Sequence, residues 1–88
     1  MRIKILGRVW NLRFAPHLGP NDGFCDPPTT TNKSIVVAKG LSEKDQLEIL
    51  VHEMLHAGGW HFDEEYVTQF ARDISHVLWR LGYRQVKR

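Results

Sequence analysis

A single cysteine, Cys25, stands in the 88 residues, so no internal disulfide framework can hold the fold and a reducing, cytoplasmic setting is expected. No apolar run approaches the roughly 20 residues of a bilayer span. Met1 to Phe14 alternates charged with apolar residues where a secretory leader needs an unbroken apolar stretch, so neither a membrane nor export is expected. An excess of one charge is also missing. Twelve Lys and Arg stand against ten Asp and Glu for a net charge of +2, too little for the basic surface that nucleic acids demand. Arg80, Arg84, Lys87 and Arg88 gather near the end and read as a solvated tail rather than a nucleic-acid contact. What remains is an ordinary globular composition, 42% hydrophobic and 25% charged, in one domain spanning residues 1–88. A chain this short buries only roughly 60–65% of its unfolded surface, so a bound metal would bear on its stability as well as its chemistry.

Two hydrophobic periods divide the chain. Ile3, Ile5, Val9, Leu12 and Phe14 follow a period near two, which argues for strands, with Gly7 marking a hairpin or a bulge between them. Residues 15–33 hold Pro16, Gly19, Pro20, Asn21-Asp22-Gly23, Pro27 and Pro28 and are expected to be loop. Ser34 to Ala38 is β-branched at its centre and reads as a further strand. Ser42, three residues before Asp45, then caps a helix running to about Ala57 and ended by Gly58-Gly59. Its core side is expected at Leu47, Leu50, Val51 and Met54. Asp63 caps a second helix whose buried stripe is expected at Val67, Phe70, Ile74, Val77, Leu78 and Leu81, with Gly82 as its stop. The fold class is therefore α+β: a small N-terminal antiparallel sheet packed on a motif helix and a C-terminal helix.

His52-Glu53-Met54-Leu55-His56 carries the strongest chemical signal. Residues i and i+4 of a helix share a face one turn apart, which lets two imidazoles bind one ion. Glu53 lies one residue on, swung by roughly 100°, where a carboxylate reaches a metal-activated water without ligating. The wheel sets His52 and His56 roughly opposite the expected core side, with Glu48 on the same arc as a partner able to orient His52.

A catalytic zinc site takes three protein ligands and keeps one position open. His61 follows His56 with Gly59 between, as in metzincins, but one residue too early for their spacing. Glu64 and Glu65 open the second helix, the place of the third ligand in gluzincins. Glu64 sits at the edge of the expected stripe and Glu65 points away from it, which favours Glu64 with Glu65 as the alternate. Both also suit the positive end of a helix dipole. Trp10, Trp60 and Trp79 are read as packing residues and Cys25 as a plain loop thiol.

With these residues in place the chain resembles a small zincin of the gluzincin kind. More narrowly it resembles short phage and prophage proteins that share Asp-Pro-Pro, a strand, His-Glu-x-x-His and Asp-Glu-Glu. Those elements here are Asp26-Pro27-Pro28, Ser34 to Ala38, His52 to His56 and Asp63-Glu64-Glu65, and the likeness covers most of residues 22–84. It is more distantly similar to the ImmA/IrrE and SprT-like metallopeptidase domains, although Tyr66 follows Glu65 where the ImmA/IrrE ligand helix has alanine. The resemblance implies a minimal zincin in which His52, His56 and Glu64 hold Zn²⁺ and Glu53 is the general base for hydrolysis of a protein or peptide substrate. It further implies that Ser34 to Ala38 is an edge strand on which substrate adds as another strand. His61, Tyr66, His76 and Tyr83 are the candidates for stabilising the oxyanion. So small a chain has little surface for an extended cleft, which leaves room for a partner, an oligomer or one particular substrate protein. A non-catalytic binding module stabilised by zinc is the alternative reading.

Overall fold

Alternating apolar residues build strands in the first half of the chain, and helical spacing builds helices in the second. In the computed structural model, which describes residues 1–16 and 21–86, strands β1 (Arg2–Ile5), β2 (Arg8–Ala15), β3 (Gly23–Cys25) and β4 (Ser34–Ala38) precede helices α1 (Glu43–Gly58) and α2 (Glu64–Arg80). Gly19 and Pro20, named above as loop breakers, and Lys87 and Arg88 of the basic end lie outside the described residues. No helix among the described residues is long and apolar enough to cross a membrane.

The strands form one sheet in the order β1-β2-β4-β3. It is mixed, which corrects the antiparallel expectation: β1 with β2 and β3 with β4 are antiparallel, whereas β2 and β4 run parallel from Asn11 opposite Ser34 to Ala15 opposite Ala38. The chain leaves β2, turns back as β3 one place further out, and returns as β4 to fill the gap. β4 takes the central place because Ile35, Val36, Val37 and Ala38 are all buried, as suits a β-branched run covered on both faces. One further expectation changes here. Residues 15–33 are not all loop, because Ala15 ends β2 and Gly23–Cys25 is a strand. Of the two readings of Gly7 the structure has the hairpin: Leu6 (φ 49°) and Gly7 (φ 79°) make a two-residue turn with both φ positive, the geometry that matches strand twist in a tight hairpin.

One face of the sheet meets α1. Trp10, Leu12, Cys25, Ile35, Val37 and Ala57 form the buried cluster, and Ile3, Ile5, Phe14, Ile49 and Leu50 pack against it. Ser42 caps α1 by accepting from the Asp45 N–H at 3.1 Å. The expected core side of α1 is rotated in fact: Glu53 and Ala57 are its buried residues, while Met54 is exposed. α1 has two neighbours, the sheet and α2, so its wheel carries two buried sectors rather than one.

α2 begins at Asp63, whose side chain accepts from the Glu65 N–H at 3.3 Å, and stops at Gly82 (φ 91°). It packs on α1 and on no strand among the described residues. Val67, Ala71 and Ser75 form its buried line, and the two small residues let the helix axes approach closely. Phe70, Val77 and Leu81, expected in the buried stripe, are exposed. A helix with one neighbour buries a narrower face than its apolar residues would allow.

Candidate metal centre

The i, i+4 spacing in α1 and the capped start of α2 bring three side chains to one point. His52 Nε2 lies 3.0 Å from Glu64 Oε1, His56 Nε2 lies 2.9 Å from Glu64 Oε2, and the two Nε2 atoms are 3.1 Å apart. Glu64 reaches them because it stands three residues before Val67, on the face of α2 that meets α1. The imidazoles are only 18% and 17% exposed, so the wheel position opposite the core is corrected to a seam between the sheet-facing and α2-facing sides.

The donor set fits a divalent cation. Two imidazole nitrogens and a carboxylate oxygen, one from each of three residues, lie close enough together to share one divalent cation, a donor set that suits zinc. A tetrahedral ion with ligand bonds of about 2.0–2.1 Å places its ligand atoms roughly 3.3–3.4 Å apart, so the three groups need open by only a few tenths of an ångström. His52, His56 and Glu64 are the group of described residues able to hold such an ion. Glu65 and His61, the other candidates for third ligand, are outside it. The Glu65 backbone instead serves the Asp63 cap. Glu48 does not orient His52, whose polar contacts are with His56 and Glu64.

Glu53 lies beside this cluster, 8% exposed. Burial first, and the Glu64 charge second, push its carboxyl from 4.5 up to about 7. Its side chain rests under β3: a Cβ on Gly23 would stand 2.8 Å from Glu53 Oε2 and 2.6 Å from Ile49 Cγ2. Only glycine lets the strand come this close.

A cleft of about 640 Å³ opens over these groups. His52, Glu53, His56 and Ile49 form its floor, residues 21–25 one wall, and Trp60, Phe62 and Glu64 the other. The strand wall is β3, which corrects the expectation that Ser34 to Ala38 is the edge: β4 is paired on both sides, and β3 on one. The Ala38 N–H donates to Asp22 O and the Asp26 N–H to Ser34 O. Antiparallel alternation therefore turns the backbone N–H and C=O of Gly23 and Cys25 to the free edge. Phe24 points to the other face of the sheet, opposite Val36.

Of the four oxyanion candidates none lines the cleft. His61, Tyr66 and His76 are exposed outside it, and Tyr83 lines a separate apolar groove with Met1, Phe14 and Trp79. Asn21, Asp22, Gly23 and Phe62 were not singled out from the sequence as site residues. Their signal was weak: Asn21-Asp22-Gly23 reads as a turn, and Phe62 lies just outside the motif. Cys25 is a buried strand residue rather than a loop thiol. Burial, then the charges of Glu53 and Asp26, push its thiol up to about 12, and its sulfur donates to Asp26 O at 3.4 Å. Of the tryptophans, Trp10 is fully buried, Trp79 stacks under the Arg84 guanidinium at 3.2 Å, and Trp60 is at the cleft rather than in packing.

Comparisons with protein-family models, with curated proteins and with solved structures returned no match.

Proposed function

We propose that this chain is a minimal zinc-dependent peptidase of the zincin kind, acting on a protein or peptide bond. One observation carries the reading: His52, His56 and Glu64 converge within hydrogen-bond distance of one another beside a buried Glu53, beneath the free edge of β3. A Zn²⁺ held by the three would supply Lewis acidity, bringing the pKa of a water to about 7 and polarising the scissile carbonyl. Glu53 would take the proton from such a water and return it to the leaving amine. The outward N–H and C=O groups of Gly23 and Cys25 pair with an extended substrate segment and hold its carbonyl over the floor of the cleft. The walls of the cleft exclude much of the solvent around Glu53, which strengthens every charge interaction there.

The test compares wild type with Glu53→Gln on a mixture of unfolded proteins, with and without zinc, alongside metal analysis. Glu53→Gln is expected to bind zinc at the same stoichiometry and to lose activity by about 10²–10⁴. Equal rates for the two proteins would remove Glu53 from the reaction.

A second reading has its own observation. Among the described strands and helices, α2 packs on α1 and on no other, and the candidate ligands come from both helices. A bound ion would cross-link them, making the protein a zinc-stabilised binding module without turnover. Loss of melting temperature on chelation, with no hydrolysis of any substrate, would favour that reading.

A further inference from the structure

Trp60 and Phe62 sit on the connection between α1 and α2 and line the cleft while remaining 39% and 50% exposed. Both rings are positioned. Phe62 packs against Gly59, where an added Cβ would come within 2.3 Å of its ring carbons, and its own N–H donates to Gly59 O at 2.9 Å. Tyr66 also contacts the Phe62 ring, edge to face at 5.3 Å between centroids. The Trp60 ring stands at 65° to His56 with centroids 6.5 Å apart. Two rings held beside the metal cluster and left wet are surface that an apolar occupant of the cleft would cover.

The rest of the lining narrows the occupant further. Asp22, Glu53 and Glu64 bring three carboxyl groups to the cleft, and among the described residues no Lys or Arg lines it. A divalent cation in the cluster would offset part of that charge, but the lining among the described residues holds no cationic side chain to pair with an acidic one beside the rings. The opposite wall is backbone, the free edge of β3, which recognises a polypeptide without regard to sequence. Side-chain choice is left to Trp60 and Phe62.

We propose that Trp60 and Phe62 form the side-chain subsite of the cleft, so that the substrate is a polypeptide with a large apolar residue, aromatic or leucine-like, next to the scissile bond. This rests on the peptidase reading above. Tyr66 and Phe70, exposed on the same helical line with their rings tilted at 60° and centroids 5.6 Å apart, continue the apolar strip away from the cleft.

The experiment uses peptides that differ only at one central position, carrying Phe, Leu, Ala or Asp. Cleavage by zinc-loaded wild type is measured by mass spectrometry, and binding to zinc-loaded Glu53→Gln by fluorescence anisotropy of labelled peptides. The Phe and Leu peptides are expected to exceed Ala by about 10- to 100-fold in kcat/KM, with Asp lowest. Phe62→Ala, and Gly59→Ala, which displaces the Phe62 ring without replacing it, should each bring the Phe-to-Ala ratio toward one. Cleavage of all four peptides at similar rates would overturn the subsite and leave the peptidase reading standing. Preferential binding of the Phe peptide without cleavage by wild type would uphold the subsite and sink the peptidase reading. Absence of preference in both assays, or a preference untouched by Phe62→Ala, overturns the proposal.

Discussion

Replacing Glu53 by Gln in the metal-free protein is expected to stabilise it, and only above mildly acidic pH. The Glu53 side chain is 8% exposed and its carboxyl is pushed from 4.5 to about 7, by burial first and by the charge of Glu64 second. Between those two values the folded chain holds a proton that the unfolded chain has already released. Stability therefore falls as pH rises through this window, and is lost in full once pH passes the folded value. The difference, 7 − 4.5, corresponds to about 3 kcal/mol at 1.36 kcal/mol per unit. Glutamine carries no charge at any pH and avoids the loss. In a domain of this size 1 kcal/mol moves Tm by about 4–8 °C, so the variant should melt roughly 12–24 °C above wild type at pH 8 and close to it at pH 4. Thermal and urea unfolding of both proteins in a chelator, from pH 4 to 8.5, measures the gap. Added zinc should narrow it, because a cation beside the carboxylate favours the charged form. Unfolding curves separated by a constant offset across the whole range would refute the reasoning.

Zinc titrations followed by thermal shift should show a large stabilisation of wild type, little with Glu64→Ala or His56→Ala, and a wild-type response with Glu65→Ala and His61→Ala. A response lost in Glu65→Ala instead would reassign the third ligand. Gly23→Ala drives a methyl into Ile49 and Glu53, so it is expected to cost about 1–3 kcal/mol in denaturant unfolding and to lower turnover while zinc content stays near one. A thiol raised to about 12 is ionised roughly a thousandfold less at pH 8 than one at the ordinary 9.0, so Cys25 should react with a disulfide reagent slowly in the folded chain and fast in urea. Equal rates in both states would mean that the thiol is accessible.

The parts of the fold legible in the sequence were those specified by near neighbours. Ser42 and Asp63 announce helix starts through bonds two or three residues long. The meeting of His52 with His56 follows from one helical turn, and the choice of Glu64 over Glu65 follows from its offset to Val67. Parallel pairing of β2 with β4 depends on residues more than twenty positions apart, which local periodicity does not encode. β3 was hidden because a three-residue strand beginning at glycine and set among prolines has too little length to show a period. The buried side of α1 was misplaced because Glu53 occupies it, and a hydrophobic wheel sends an acid outward. The stripe of α2 was drawn too wide because apolar content does not say how many neighbours a helix has.

That α2 packs on no described strand or helix but α1 has a consequence for how the molecule breathes. Its amides should exchange with deuterium through an opening that leaves the sheet and α1 intact, at a lower free energy than global unfolding. Each such excursion carries Glu64 away from the two imidazoles. The rate at which the protein surrenders an ion would then be set by the departure of one helix, and the same event would expose the α1–α2 connection to a protease.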